Sequence, residues 1–463
     1  MKKYLFLFLI LLICAFQLKS QPIAKVDESI ELVSTVFRLI GAKEYVNNSL
    51  KRYTEELDST FLPFKNHPIF TYAKEIRAKD GISYDAIADY AVRIAPNSKG
   101  EIVLKDGITF NGLDGRWKKG VAIKFTKLLN DFYKKSKFHN FFTAHQEFYD
   151  MACVSLNQSL NVVDFNWFQE FFGSNHIKDS YTIASLLNVG NYGIHILKGN
   201  AYNAYIIIGN YIVDKKGMPL YNNITDIIVH EFCHSYCNPL VDKNITQFYP
   251  KANSYYQLVE DKLHSQAYGA PSTVIYETLV RASSFQYESL HNKKDIYILM
   301  DINRNKCNGF LWIANLYESM NYYNLHRDKY PTLESYMPNI IKLHNNLDVD
   351  SLYIETLTKT TKMYVQGIEN GDTCVSPNIK SISLIFDRPI IRGQGIGNGN
   401  KPEAKFPDIS NTKWSQDKTQ WCIEVNLLPD TYYSISFPAS FFYNADYYPC
   451  QKNIYLNFKT SKE

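Results

Sequence analysis

Residues 225–239 read Thr225-Asp226-Ile227-Ile228-Val229-His230-Glu231-Phe232-Cys233-His234-Ser235-Tyr236-Cys237-Asn238-Pro239. The pattern predicts a helix over 226–237, with the Thr225 hydroxyl as N-cap and Pro239 preventing continuation. His230 and His234 are four residues apart, slightly more than one turn. Both imidazoles therefore project from one face and can grip a single metal ion. Glu231 stands beside the first of them, where it can take a proton from metal-bound water and later pass it to a leaving amine. The bland alternative is two core or surface histidines with an incidental glutamate. The apolar run 227–229 before the motif and Pro239 after it argue against a chance copy.

A catalytic zinc uses three protein ligands and leaves one position open for water. Metzincins supply the third ligand as HxxGxxH directly after the motif. Here Ser235-Tyr236-Cys237-Asn238-Pro239 follows, which excludes that class. A glutamate from a later helix is the usual alternative. The best candidate is Glu277 in Ile275-Tyr276-Glu277-Thr278-Leu279-Val280-Arg281, because a carboxylate among apolar neighbours needs a partner such as a cation. Arg281, one turn on, is placed to orient it. A plain Glu277–Arg281 surface pair is the rival reading, and Glu260, Asp261, His264, Glu288 and His291 compete for the third position.

Upstream of the motif, 192–198 and 202–208 are β-prone runs separated by Gly199-Asn200, which reads as a hairpin. Residues 24–150 read mainly as helix, with segments at 29–39, 44–60, 84–93, 120–136 and 138–155. Their Phe and Tyr stripes are expected to be core. Helical patterns return at 272–290, 309–322 and 332–346. Beyond 370 the periodicity changes, and runs at 379–386, 421–427, 432–437 and 454–458 suggest a small β-sandwich. Gly393, Gly395, Gly397 and Gly399 superficially resemble a nucleotide-binding loop. Lys401-Pro402 follows in place of a helix, so a flexible loop is expected.

Composition bounds the function. The chain has 463 residues, 45% hydrophobic and 15% aromatic, too much apolar surface for a disordered protein. Its 50 basic and 46 acidic residues are too balanced for a nucleic-acid binder. Residues 1–20 carry Lys2, Lys3 and Lys19 with no acid. Without them the balance is 47 against 46, or +1. A basic start, an apolar run over 4–16 and a polar break match a secretory signal peptide cleaved after Ser20. Ile13 before Cys14 is too bulky for a lipidation signal, and no later stretch is apolar enough for a membrane helix. The expected location is periplasmic, cell-surface or secreted, with association with the cell surface open. Seven cysteines follow residue 20, too few and too uneven for a disulfide scaffold. Cys233 and Cys237 read as buried thiols.

Residues 228–239, 276–281 and Arg327-Asp328-Lys329-Tyr330-Pro331-Thr332-Leu333-Glu334 carry a resemblance over roughly residues 25–350. They are similar to a family of exported bacterial proteins catalogued as a domain of unknown function, which itself resembles gluzincin metallopeptidases. The resemblance implies an α-rich zincin-like catalytic domain over 21–365. Separately, Ser376-Pro377, Leu384-Ile385-Phe386-Asp387-Arg388-Pro389 and Leu427-Leu428-Pro429-Asp430-Thr431-Tyr432 resemble bacterial immunoglobulin-like domains, so a β-sandwich is expected at 370–463 and the fold class is α+β. The gluzincin resemblance also implies His230, His234 and Glu277 as Zn2+ ligands and Glu231 as catalytic base. Cys233 departs from the small residue expected there. In zincins the strand before the motif helix pairs with extended substrate, which points to 202–208. An oxyanion donor is expected among Tyr202, Tyr268, Tyr276, Tyr287 and His291. His195 reads as a packed strand histidine.

The expected function is hydrolysis of protein or peptide substrates by zinc-bound water activated by Glu231. One alternative is a surface peptide- or glycan-binding protein on a degenerate zincin scaffold. Another is a closed structural zinc site, which requires a fourth ligand from Cys233 or Cys237.

Overall fold

A computed structural model describes residues 22–463 apart from 175, 211 and 250. The expected signal peptide, its cleavage point and Cys14 lie outside the described residues. The chain divides after Pro239 into two compact units. Helices dominate up to residue 359 and strands thereafter, an α+β chain with an α-rich N-terminal part and a β-rich C-terminal part. Among the described residues, no helix is long and apolar enough to cross a membrane.

In the first unit, helix Glu28–Leu39 starts where the Asp27 side chain accepts from the Ser29 amide at 3.0 Å. It is buried from Ser29 to Arg38. The aromatic stripes are core, as expected. Phe61 packs against Phe132, Phe138 and Phe141 with ring centroids 5.2–5.9 Å apart. The helix expected at 44–60 is shorter, a 3₁₀ turn at Lys43–Tyr45 and then Lys51–Phe61. Asn47 intervenes, because its side chain accepts from the Ser49 amide at 3.0 Å and donates to the Asn188 carbonyl at 3.1 Å. The segment expected as one helix over 138–155 is two, Phe138–Ala144 and Gln146–Leu160, broken at His145.

The sheet of this unit positions the motif. Its order is Ala24–Lys25, Ile177–Ser185, Ala201–Gly209, Tyr192–Lys198. The first two pairings are parallel and the last antiparallel. The predicted hairpin is present, with Lys198 opposite Ala201 and Gly199 at φ +65 in its turn. Strand Ala201–Gly209 has neighbours on both sides, so its backbone is already paired. The expectation that 202–208 receives an extended substrate is therefore corrected: of the hairpin's two strands, Tyr192–Lys198 is the one at an edge of the sheet.

The motif helix runs from Thr225 to Phe248, not to Cys237, and Pro239 lies inside it. Proline at 239 removes the amide that would bond the Ser235 carbonyl one turn back. His176 supplies the replacement, its Nε2 donating to that carbonyl at 3.2 Å while its Nδ1 faces the Ser174 hydroxyl. With the orphaned acceptor satisfied, the helix continues through the proline.

In the second unit, helices Lys251–His264, Pro271–Leu290, Asp295–Cys307, Ile313–Leu325, Leu333–Asn345 and Val349–Lys359 precede the strands. Thr332 and Ser335 form a reciprocal capping box at the start of Leu333–Asn345. The β region has a four-stranded sheet ordered Asp408–Trp414, Gln420–Asn426, Ser381–Phe386, Met363–Gln366. A three-stranded sheet is ordered Gly397–Asn398, Tyr432–Phe437, Ile454–Lys459. Alternate residues of both sheets share one core: Leu384, Trp421 and Ile423 from the first, Ile435, Phe437 and Phe458 from the second. The segment expected as a loose loop at 393–399 is close-packed. A Cβ at Gly395 would lie 2.0 Å from the Phe441 ring, and one at Gly399 1.8 Å from the Ser434 hydroxyl. The glycines alternate because one face of an extended ribbon lies flat on its neighbour.

Candidate metal centre

Helical geometry alone brings the two motif histidines together. Their Nε2 atoms are 3.3 Å apart, with ring planes at 81°. Two nitrogens at the usual zinc–nitrogen distance and a tetrahedral angle stand about 3.3 Å apart, so the pair already has the separation a zinc ion requires. Asn238, one turn beyond His234, holds the second ring, its Oδ1 lying 3.1 Å from His234 Nδ1. That bond places the proton on Nδ1 and leaves Nε2 with a lone pair for a metal. Sequence reading missed Asn238, although a carboxamide four residues after a motif histidine was the available signal. Both histidines are half-buried and Glu231 is 7% exposed.

The far side of the helix is fixed by aromatic packing. Phe232 lies 5.0 and 5.2 Å from Phe165 and Phe168, and Tyr236 stacks on Phe172 at 4.6 Å. Burial pushes the Tyr236 phenol well above its ordinary pKa, with Cys233 adding to the effect, so it stays neutral. Cys233 and Cys237 are fully buried.

The edge strand approaches the motif at a glycine. A Cβ at Gly193 would lie 2.2 Å from the Glu231 carbonyl oxygen and 2.9 Å from the His234 Cβ. No side chain fits there, and the backbone of the strand lies directly against the residue expected to act as base. His195, two residues on, sits opposite Ala204 in the ladder and packs edge-on against Tyr202 at 5.4 Å.

Glu277 lies in helix Pro271–Leu290 and is 7% exposed. It is held by the residue expected to orient it: Arg281 Nη2 donates to Glu277 Oε2 at 2.9 Å and lies 3.2 Å from the Tyr268 hydroxyl. Arg281 Nη1 donates to Asn305 Oδ1 at 3.1 Å, and the guanidinium lies 4.6 Å from the centre of the Phe310 ring. Burial works against the guanidinium charge, but Glu277 and Tyr268 hold its pKa above the ordinary value. The pair is therefore a buried, multiply bonded ion pair and not the surface pair that was the rival reading. Asn305 is a further member that sequence reading missed.

Ligand atoms of His230, His234 and Glu277 all lie within 4.8 Å of one another. Among the described residues this is the group of His, Cys, Asp and Glu side chains able to hold a metal, and neither Cys233 nor Cys237 belongs to it. The competitors lie outside this group. Glu260 faces His264 at 3.8 Å, Glu288 bonds Lys293 at 2.6 Å, His291 stacks on Tyr287 at 3.9 Å, and Asp261 is exposed. Of the expected oxyanion donors, Tyr268 contacts Arg281 and Tyr276 donates to Asp242.

Comparison with known proteins adds a family. No curated protein matches. A crystal structure of the S-layer protein rSbsC(31-844) matches at 13% identity and a TM-score of 0.18, covering 51% of this chain and 34% of that one. This chain thus spans about a third of that protein's length, and so low a TM-score carries no argument. The family model described as "Domain of unknown function (DUF4932)" matches residues 23–343. That match covers well over half of the sequence, and the chain belongs to this family.

Proposed function

We propose that the chain is an exported zinc-dependent peptidase of gluzincin type, with a zincin-like catalytic domain at 21–365 and an immunoglobulin-like domain at 370–463. The observation that carries the reading is the 3.3 Å separation of the His230 and His234 Nε2 atoms, with Glu231 beside them in the sequence. His230, His234 and Glu277 would hold the ion, and their donor set of two imidazoles and one carboxylate suits zinc. When bound, zinc lowers the pKa of water and polarises a carbonyl.

The residues of the chain perform the rest. Glu231 accepts a proton from the attacking water and returns it to the leaving amine. Asn238 fixes the tautomer of His234, and Arg281 holds Glu277 in one orientation. The strand Tyr192–Lys198, at one edge of the sheet, would line an extended peptide. Its Gly193 keeps that peptide close to Glu231. In the β region the Tyr433 hydroxyl accepts from the Leu428 amide at 2.7 Å. This resembles the tyrosine corner of immunoglobulin-like sandwiches and supports that assignment.

The test is metal analysis and peptide hydrolysis on the wild type and Glu231→Gln. The expected result is one zinc per chain in both, with hydrolysis lost in the variant. A Glu231→Gln protein that binds zinc and cleaves as fast as wild type overturns the role of Glu231. Zinc content far below one per chain overturns the metal site.

A further inference from the structure

A pocket of ≈ 580 Å³ opens in the second unit, within the size range of small-ligand sites. It is lined by one face from each of helices Asp295–Cys307, Ile313–Leu325 and Val349–Lys359 and by Asp446 and Tyr448. Ile298, Leu299 and Ile302 make an apolar wall, and Leu299 is 42% exposed there. Lys306 is nearly buried, at 5% exposure, with Nζ 2.8 Å from the Tyr448 hydroxyl and 3.5 Å from Glu355. Lys359 bonds the same carboxylate at 2.8 Å. Glu355 is thus matched from within the protein. Asp295, Glu318 and Asp446 are exposed on the rim. Four carboxylates against two ammonium groups leave the lining with two net negative charges, in a chain whose net charge is +4.

We propose that this pocket binds a small aliphatic diamine, a short hydrocarbon chain carrying an ammonium group at each end. The methylenes would cover Ile298, Leu299 and Ile302, removing their apolar surface from water. The ammonium groups would meet the rim carboxylates and the ring of Tyr317, since the Tyr448 ring already faces Lys306 and Lys359. An anion would face a lining of its own sign. A neutral chain would desolvate the carboxylates without pairing them.

The experiment is isothermal titration of the full chain with 1,5-diaminopentane at low and high salt. The uncharged 1,5-pentanediol and the dianion glutarate are controls of equal length. The expected result is saturable binding of one diamine per chain, weakened by salt, with neither control binding. The double variant Glu318→Gln/Asp446→Asn should bind at least about threefold more weakly at an unchanged melting temperature, because both side chains are exposed. Absence of saturable diamine binding, equal affinity for the diol, or undiminished affinity in the double variant overturns the proposal. None of these outcomes bears on zinc content or hydrolysis, so this proposal and the peptidase reading fail separately.

Discussion

Replacing Gly193 with alanine tests the approach of the edge strand to the motif helix. The added Cβ would lie 2.2 Å from the Glu231 carbonyl oxygen and 2.9 Å from the His234 Cβ. Ordinary contact begins near 3.4 Å, so relieving the first clash means parting strand and helix by about 1.2 Å. Neither contacted atom is the free end of a flexible side chain, so rotamer changes cannot absorb the strain. Overpacking of this kind costs roughly 1–3 kcal/mol, a fall in melting temperature of roughly 2–12 °C for a unit of this size. The two histidines share one helix, so their 3.3 Å spacing and the zinc stoichiometry should survive. Substrate held on the retreating strand would be misplaced by about 1 Å, and kcat/KM should fall by on the order of 10²-fold. Thermal melting followed by circular dichroism, zinc analysis and a peptide hydrolysis assay measure the three quantities. A Gly193→Ala protein that melts with the wild type and hydrolyses at its rate refutes the close approach and the role given to the strand.

Two further outcomes follow from single side chains. Burial pushes Glu31 up to about 7, although the Leu186 amide, Tyr53 and Ser185 all donate to it. The folded state holds this proton more tightly than the unfolded chain, whose value is near 4.5. Its stability contribution is therefore complete below pH 4.5 and declines as the pH rises through 7, by about 3 kcal/mol in all. The stability difference between wild type and Glu31→Gln, measured by chemical denaturation, should shift by about 2.5 kcal/mol between pH 5 and pH 8; parallel pH profiles contradict it. Asn238→Ala removes the acceptor at His234 Nδ1, and zinc affinity measured against a competing chelator should drop about 10- to 100-fold with the circular dichroism spectrum unchanged. An unaltered affinity shows that the ring is held by something else.

Much of the site was legible because the information is local. A 3.6-residue period places His230 and His234 on one face wherever the helix lies, and the i, i+4 spacing joins Glu277 to Arg281. The hairpin followed from Gly199-Asn200, and the aromatic helices followed from their stripes. The end of the motif helix was misread for an equally physical reason. Proline stops a helix by orphaning a carbonyl, and the donor that rescues Ser235 comes from His176, 59 residues earlier in the chain. The alternate glycines at 393–399 carried a period-2 signal that reads correctly only with Phe441 and Ser434 in place.

What the sequence by itself determined is the geometry of the motif helix: which side chains share a face, with Glu231 beside the two histidines. Tertiary structure alone decided which carboxylate stands beside the two imidazoles, because Glu277, Glu260 and Glu288 are equivalent until packing brings Glu277 within 4.8 Å of both and places Glu260 against His264 and Glu288 against Lys293. It likewise decided which strand of the hairpin lies inside the sheet, since Ala201–Gly209 lost both of its sides to neighbours, one of them the strand Ile177–Ser185, unread in the sequence. Periodicity fixes directions within an element, whereas ligand sets and sheet edges depend on contacts between segments far apart in the chain.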